Sequence, residues 1–261
     1  MLSPETIAAI ADELAEAERD RTAVPPLSGR HTEMTIEDAY AVQNEWRRRA
    51  IEAGRRPVGR KIGLTSKVMQ AATGIDEPDY GAIFADMVLE NGAVIEHARF
   101  STVRIEVELA FVLAEAIDGP HATVFDVLRA TEYVVPALEV LSSRIELQNK
   151  TIVDNISDNA AMGAMVYGGN PVKPGEVDLR WVSALLYRNE TIEESGVAAA
   201  VLNHPAMGVA WLANKLAQHG DRLEAGEIVL AGSFTRPMWV HPGDTVLADF
   251  RELGTVSCRF V

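Results

Sequence analysis

Glu106 and Glu108 stand two positions apart in the run RIEVELAFVL. A strand alternates its side chains, so both carboxylates would leave one face with Cα atoms about 6.6 Å apart, within reach of a single ion. That face continues through Ala110 and Val112, and the opposite face, Ile105, Val107, Leu109 and Phe111, is apolar throughout. Two carboxylates with so little polar surface around them repel each other and lose hydration unless a cation sits between them. For the pair alone, an exposed strand end is an equally good explanation. Glu139 shifts the balance, because it is the one charge after Glu132 in EYVVPALEVL. An unpaired glutamate in an apolar run is rare. Three carboxylates, with water completing an octahedron, suit a hard ion such as Mg²⁺ or Mn²⁺ and leave positions open to a chelating substrate.

Two further residues could supply acid–base chemistry. Lys61 lies in GRKIGLTS, where Lys61 and Gly63 share one face of a strand and Ile62 and Leu64 the other. Taken alone it reads as a surface lysine; beside an anionic site it reads as a group facing the substrate. Asp79, in EPDYG, reads from spacing alone as a turn aspartate. Other chemistries lack support. The six histidines form no HExxH or HxH spacing and there is no CxxC, so a zinc site is not expected. No GxGxxG, P-loop or GxSxG motif is present either.

The elements that must hold these groups follow from texture. Residues 1–57 read as a helical N-terminal region. Ser3 and Pro4 cap a first helix with Ile7, Ile10 and Leu14 on one face. A second helix runs from Thr35 to about Gly54, with Thr35 and Asp38 in capping-box relation and Tyr40, Gln43 and Trp46 turned inward. Residues 58–261 read as a β-rich catalytic domain of short runs bounded by turns, interrupted by helical stretches near Val124–Ala130 and Pro205–Ala217. The strands are too many and too closely spaced for a doubly wound sheet. The expected class is α+β, with a mixed β-roll or barrel-like core.

Composition narrows the partners. With 261 residues, 48% of them hydrophobic, the chain can bury a full core without staples. A formal charge of −14 argues against nucleic acid, since phosphates would be repelled. It also means that an anionic substrate needs a metal or a placed cation. No apolar run reaches a membrane span, and the N-terminus lacks the marks of a secretory signal. The single cysteine, Cys258, excludes an intrachain disulfide and fits a cytoplasmic setting.

The segments GRKIGLTSK, EPDYGAIF, RIEVELAFVL, YVVPALEV, DNISDNAAMGAMVYGG, VLNHPAMGVAWLANKL, LAGSFTRP and GTVSCRFV occur in this order. Together they resemble the hydratase/decarboxylase branch of the fumarylacetoacetate-hydrolase superfamily, almost from end to end. The resemblance implies a β-roll fold and a homo-oligomer, either a dimer or a larger ring of dimers. It implies Glu106, Glu108 and Glu139 as ligands of Mg²⁺ or Mn²⁺, Lys61 and Asp79 as proton-handling groups, and Ser157 near the substrate. The implied reaction is hydration of a small-molecule 2-oxo-alkenoate of the kind formed when aromatic rings are opened. Three alternatives stay open: a vinylogous decarboxylase, an acylpyruvate hydrolase, and a non-catalytic partner subunit. The hydrolase normally uses an activating histidine, and His97, the nearest in sequence to the Glu-x-Glu strand, fits no such motif. The resemblance also places the GSFTRP loop beside the pocket. Arg236 in that loop is the candidate to hold a second, distal carboxylate of the substrate, or else a structural arginine paired with the acidic surface.

Overall fold

The computed structural model describes residues 1–66, 70 and 77–261. Helix α1 (Pro4–Asp20) starts where Ser3 accepts the Thr6 amide, with Pro4 in its first turn. After the short α2 (Leu27–Arg30), helix α3 (Ile36–Glu52) carries the reciprocal Thr35–Asp38 capping box expected from the sequence. Both long helices turn an apolar stripe inward. Ile10, Leu14, Tyr40 and Trp46 enter the same core as the sheets, and the Trp46 ring meets the edge of Phe84 at 5.8 Å.

The β-rich part forms two sheets from the described strands. The larger contains β1 (Pro57–Gly63), β2 (Asp79–Phe84), β3 (Val88–Glu90), β5 (Arg104–Leu113), β6 (Thr131–Leu141), β7 (Met162–Tyr167), β10 (Ile228–Leu230) and β11 (Met238–Trp239). Its order is β2-β1-β10-β5-β6-β7-β3, with β11 on the end of β5. The smaller sheet runs β4 (Ala93–Ile95), β13 (Thr255–Phe260), β12 (Thr245–Asp249), β8 (Ser183–Arg188) and β9 (Thr191–Val197). Helices α4 (Val124–Ala130), α5 (Ile152–Ser157) and α6 (Pro205–Ala217) complete the fold. The α+β class with a rolled β core is therefore as expected, the larger sheet curling into a half-barrel.

One contact shows the curl directly. Lys61 on β1 and Glu139 on β6 are three strand positions apart, which in a flat sheet is about 14 Å. Their side chains nevertheless meet at 3.1 Å, because both point into the concave side.

The turn reading of Asp79 is corrected here. Asp79 opens β2, pairs with Gly63 across the β1–β2 ladder and is fully buried. Every residue of DYGAIF is buried, so this strand lacks the polar/apolar alternation that would mark it in sequence. Helix α5 was not anticipated either, being six residues long and rich in Asp, Asn and Ser.

Trp46 ties the helical region to the sheet, with the guanidinium groups of Arg55 and Arg144 at 5.7 and 5.4 Å from its ring. Trp46→Ala is expected to lower unfolding stability by about 3–5 kcal/mol, measured by urea denaturation with an unchanged m-value.

Candidate metal centre and substrate cavity

Strands β5 and β6 run antiparallel in a register that sets Glu106 directly opposite Glu139 and Glu108 opposite Ala137. Like charges placed opposite each other on a sheet are destabilising. Here the three carboxylates lie within 4.8 Å of one another through one oxygen each. Glu108 and Glu139 are fully buried, and Glu106 is half-buried. The backbone N–H of Gly232 donates to Glu108 Oε2 at 2.9 Å. Gly232 holds φ +114°, a conformation that residues with side chains rarely adopt. Among the described residues, Glu108 Oε1 and both oxygens of Glu139 accept no hydrogen bond. Glu139 Oε1 does lie 3.1 Å from Lys61 Nζ, close enough for an ion pair but poorly aligned for a hydrogen bond.

Buried carboxylate oxygens without donors are the signature of a place for a cation, and three hard oxygen donors match Mg²⁺, Mn²⁺ or Ca²⁺. The residues present fit the ion expected from the sequence.

Lys61 and Asp79 stand beside this cluster. Burial works against the Lys61 ammonium, but Glu139, Asp79, Glu108 and Glu106 outweigh it and hold the group protonated above the usual lysine range. Asp79 Oδ2 accepts a hydrogen bond from Asn155 Nδ2 at 2.6 Å, while Oδ1 has no hydrogen-bond partner among the described residues. The free Oδ1 rests against Gly63, where a Cβ would come within 2.2 Å of it and 3.4 Å of Lys61 Nζ. Only glycine leaves room for the carboxylate at that distance.

A cavity of about 590 Å³ opens next to the carboxylates, its walls including Glu106, Gly63, Thr65, Ser233, Glu194 and Arg236. Arg236 is part of the cavity wall. It is 80% exposed, and Glu194 on β9 occupies its guanidinium, at 2.9 Å from Nη2 and 3.2 Å from Nε.

Ser157 does not join the group. It is buried at the end of α5, where its hydroxyl donates to the Val153 carbonyl one turn earlier at 2.7 Å. The residue of that segment that reaches the site is Asn155, which sequence reasoning missed. Arg104 was missed too, although it shares the Glu106 face of β5. Its guanidinium stacks 5.5 Å from the Trp239 ring, and among the described residues it has no ion-pair partner. His97 is engaged elsewhere, its Nε2 lying 3.1 Å from the Val240 carbonyl. Among the described residues no histidine belongs to the carboxylate cluster.

A fold and site of this kind have close counterparts. The family model of fumarylacetoacetate (FAA) hydrolase C-terminal matches residues 57–261, and the chain belongs to this family. It is 54% identical to 2-oxo-hept-4-ene-1,7-dioate hydratase of Escherichia coli, with 100% of both chains covered. It is 38% identical to 2-keto-4-pentenoate hydratase of Paraburkholderia xenovorans, covering 99% of this chain and 96% of that one. Among solved structures it resembles 4-oxalocrotonate decarboxylase of Pseudomonas putida G7, complexed with magnesium and adipate. That likeness has a TM-score of 0.98 at 35% identity, over 100% of this chain and 99% of the other.

The crowded carboxylates give the site a pH signature. Burial first, then Glu139, raises the Glu106 carboxyl to about 8, and burial raises Glu108 well above the ordinary value. An acid whose folded pKa is raised favours the folded state when protonated. The metal-free protein should therefore lose stability as pH climbs from the unfolded value near 4.5 through about 8. A divalent ion takes only the deprotonated forms and releases protons. Saturating Mg²⁺ is accordingly expected to raise Tm more at pH 8 than at pH 6. Equal shifts at the two pH values would contradict protonated carboxyls in the metal-free site.

Proposed function

We propose that this protein is a divalent-cation-dependent hydratase that adds water to 2-oxo-hept-4-ene-1,7-dioate, giving a 4-hydroxy-2-oxo dioate. The observation that carries the reading is the set of three clustered carboxylates, two of them fully buried with oxygens unpartnered among the described residues, next to a lysine and an aspartate, in a chain 54% identical to a hydratase of that substrate.

Glu106, Glu108 and Glu139 would hold the cation, which when bound supplies Lewis acidity to the carboxylate and C2 oxygens of a 2-oxo acid. The remaining work belongs to the side chains. Asp79, with Oδ1 free, removes a proton at C3, and the Lys61 ammonium delivers one at C5. The double bond thereby moves into conjugation with the C2 carbonyl. Water then adds at C4, its proton going to the same acid–base pair and a proton returning to C3. One water is consumed, and no electrons leave the substrate. Positioned proton transfer of this kind contributes roughly 10²–10⁴-fold.

The far carboxylate of a dioate needs a cation in this strongly acidic protein, and Arg236 is the group we assign to it. An exposed ion pair such as Arg236–Glu194 contributes only about 0–1 kcal/mol, so an incoming carboxylate can displace Glu194 from the guanidinium. We further infer self-association in the cytoplasm. Leu185 and Leu247 on the smaller sheet are exposed, and the single cysteine is buried and free.

Purified protein with Mg²⁺ is expected to hydrate 2-oxo-hept-4-ene-1,7-dioate without releasing CO₂; release of CO₂ would assign the decarboxylase reaction instead. Glu106→Gln, Glu108→Gln and Glu139→Gln should each abolish turnover while the protein stays folded. Full turnover after EDTA treatment would overturn the metal assignment. Lys61→Met should cut kcat by roughly 10²–10⁴-fold with bound metal unchanged, and parallel loss of metal would make Lys61 structural. Arg236→Leu should raise KM for the dioate by about tenfold, the loss of one charge-assisted contact, and leave 2-oxo-pent-4-enoate unaffected. Equal damage to both substrates would remove Arg236 from the distal site.

A further inference from the structure

We propose that Gln43 and Asn155 are positioning residues for Asp79, so that the N-terminal helices set the geometry of the proton-transfer end of the site. The inference rests on the role given to Asp79 above. Asp79 is fully buried, and its two oxygens differ: Oδ2 is fixed by Asn155 Nδ2 at 2.6 Å, and Oδ1 has no hydrogen-bond partner among the described residues. A neutral amide orients a carboxylate without neutralising it, whereas a lysine or arginine in the same place would compete for its charge.

Gln43, 2% exposed on α3, makes the second connection. Its Nε2 donates to the Tyr80 carbonyl and to the Ile156 carbonyl, both at 2.8 Å. These are the residues that follow Asp79 and Asn155. One amide group therefore locks the backbone beside the acceptor to the backbone beside the donor.

Helix α5, which carries Asn155, is itself fixed from the same side. Asp154 accepts the amide and hydroxyl of Thr151, both at 2.8 Å, and also the Ser28 amide at 2.9 Å and hydroxyl at 2.7 Å. Past the end of α5, Asn159 pairs with Ala82 of β2 through both side-chain groups, at 2.7 and 2.9 Å. Asn159, Ala160 and Ala161 all take left-handed backbone angles, φ 50°, 50° and 56°. Three such residues in succession persist only where the surroundings over-determine them. Ser28 and Gln43 lie outside the span matched by the family model, which begins at residue 57. The helical region thus reaches the site through hydrogen bonds to β2 and α5, without contributing a ligand.

The test compares Asn155→Ala and Gln43→Leu in the full-length, Mg²⁺-loaded protein and in the Asp79→Ala background. The expected result is a fall in kcat of about ten- to a hundredfold, as for reacting groups misplaced by an ångström. KM and the calorimetric Kd for Mg²⁺ should stay within about threefold, and neither substitution should lower kcat further once Asp79 is alanine. Asn155→Ser, too short to reach Asp79, replaces the alanine variant where that one loses its fold. Equal losses of kcat in the two backgrounds, or a matching loss of Mg²⁺ affinity, would make the contacts merely structural and overturn the inference. An impaired Asp79→Ala enzyme beside an Asn155→Ala enzyme at wild-type rate would overturn the inference alone. Full turnover by Asp79→Ala would overturn the reading of Asp79, and the inference with it.

Discussion

Mutual repulsion among Glu106, Glu108 and Glu139 is the constraint around which the rest of the molecule is arranged. Three carboxylates on one concave, mostly apolar surface cost free energy in the isolated chain, through lost hydration and like-charge proximity. The fold holds them there by backbone register, which no side-chain relaxation can undo. Glu106 and Glu139 face each other because β5 and β6 pair over their whole lengths. Among the described residues, the Lys61 ammonium, the Gly232 backbone N–H and the charge of Arg104 offset part of that repulsion. The curl of the larger sheet brings Lys61 across to Glu139, so curvature and electrostatics are one design.

That arrangement divides the work spatially. The centre of the larger sheet carries the three carboxylates, the β1–β2 edge carries Lys61 and Asp79, and the loop after β10 carries Arg236. Each part is held by different neighbours. The three carboxylates depend on the β5–β6 ladder, the Asp79 carboxylate on α3 and α5, and Arg236 on an exposed ion pair. Burial is greatest where charge is concentrated and least at the rim, where Arg236 is exposed.

Much of this was legible in the sequence, and the reasons are particular. The Glu-x-Glu spacing and the isolated Glu139 signalled the cluster because strand periodicity and burial leave few other uses for such residues. The helix caps at Ser3 and Thr35 were readable because capping is local chemistry. Asp79 was misread as a turn residue because a strand buried on both faces shows no alternation. Ser157 came from the resemblance and Asn155, two positions earlier on the same short helix, was not singled out, because a sequence does not say which side chain of such a helix meets β2. Gln43 was recognised as inward-facing, but the two carbonyls it joins lie on elements far apart in the chain. Arg104 was the avoidable omission, since the periodicity that found Glu106 and Glu108 also includes it.

The placement of β1 carries a consequence for how the molecule is made. Lys61 pairs with Leu230 in a parallel ladder, so a strand near the start of the β-rich part is completed by one close to the C-terminus. Parallel pairings of such long sequence separation close late, because the loop entropy is lost before the contact forms. On the ribosome, β1 can pair with β2 early, but its other edge stays open until nearly the whole chain has emerged. During that interval the acidic cluster also lacks Gly232, its backbone donor. One edge of β1 and the backbone donor of the carboxylate cluster are therefore both supplied late in synthesis, by the same few residues, 228–232.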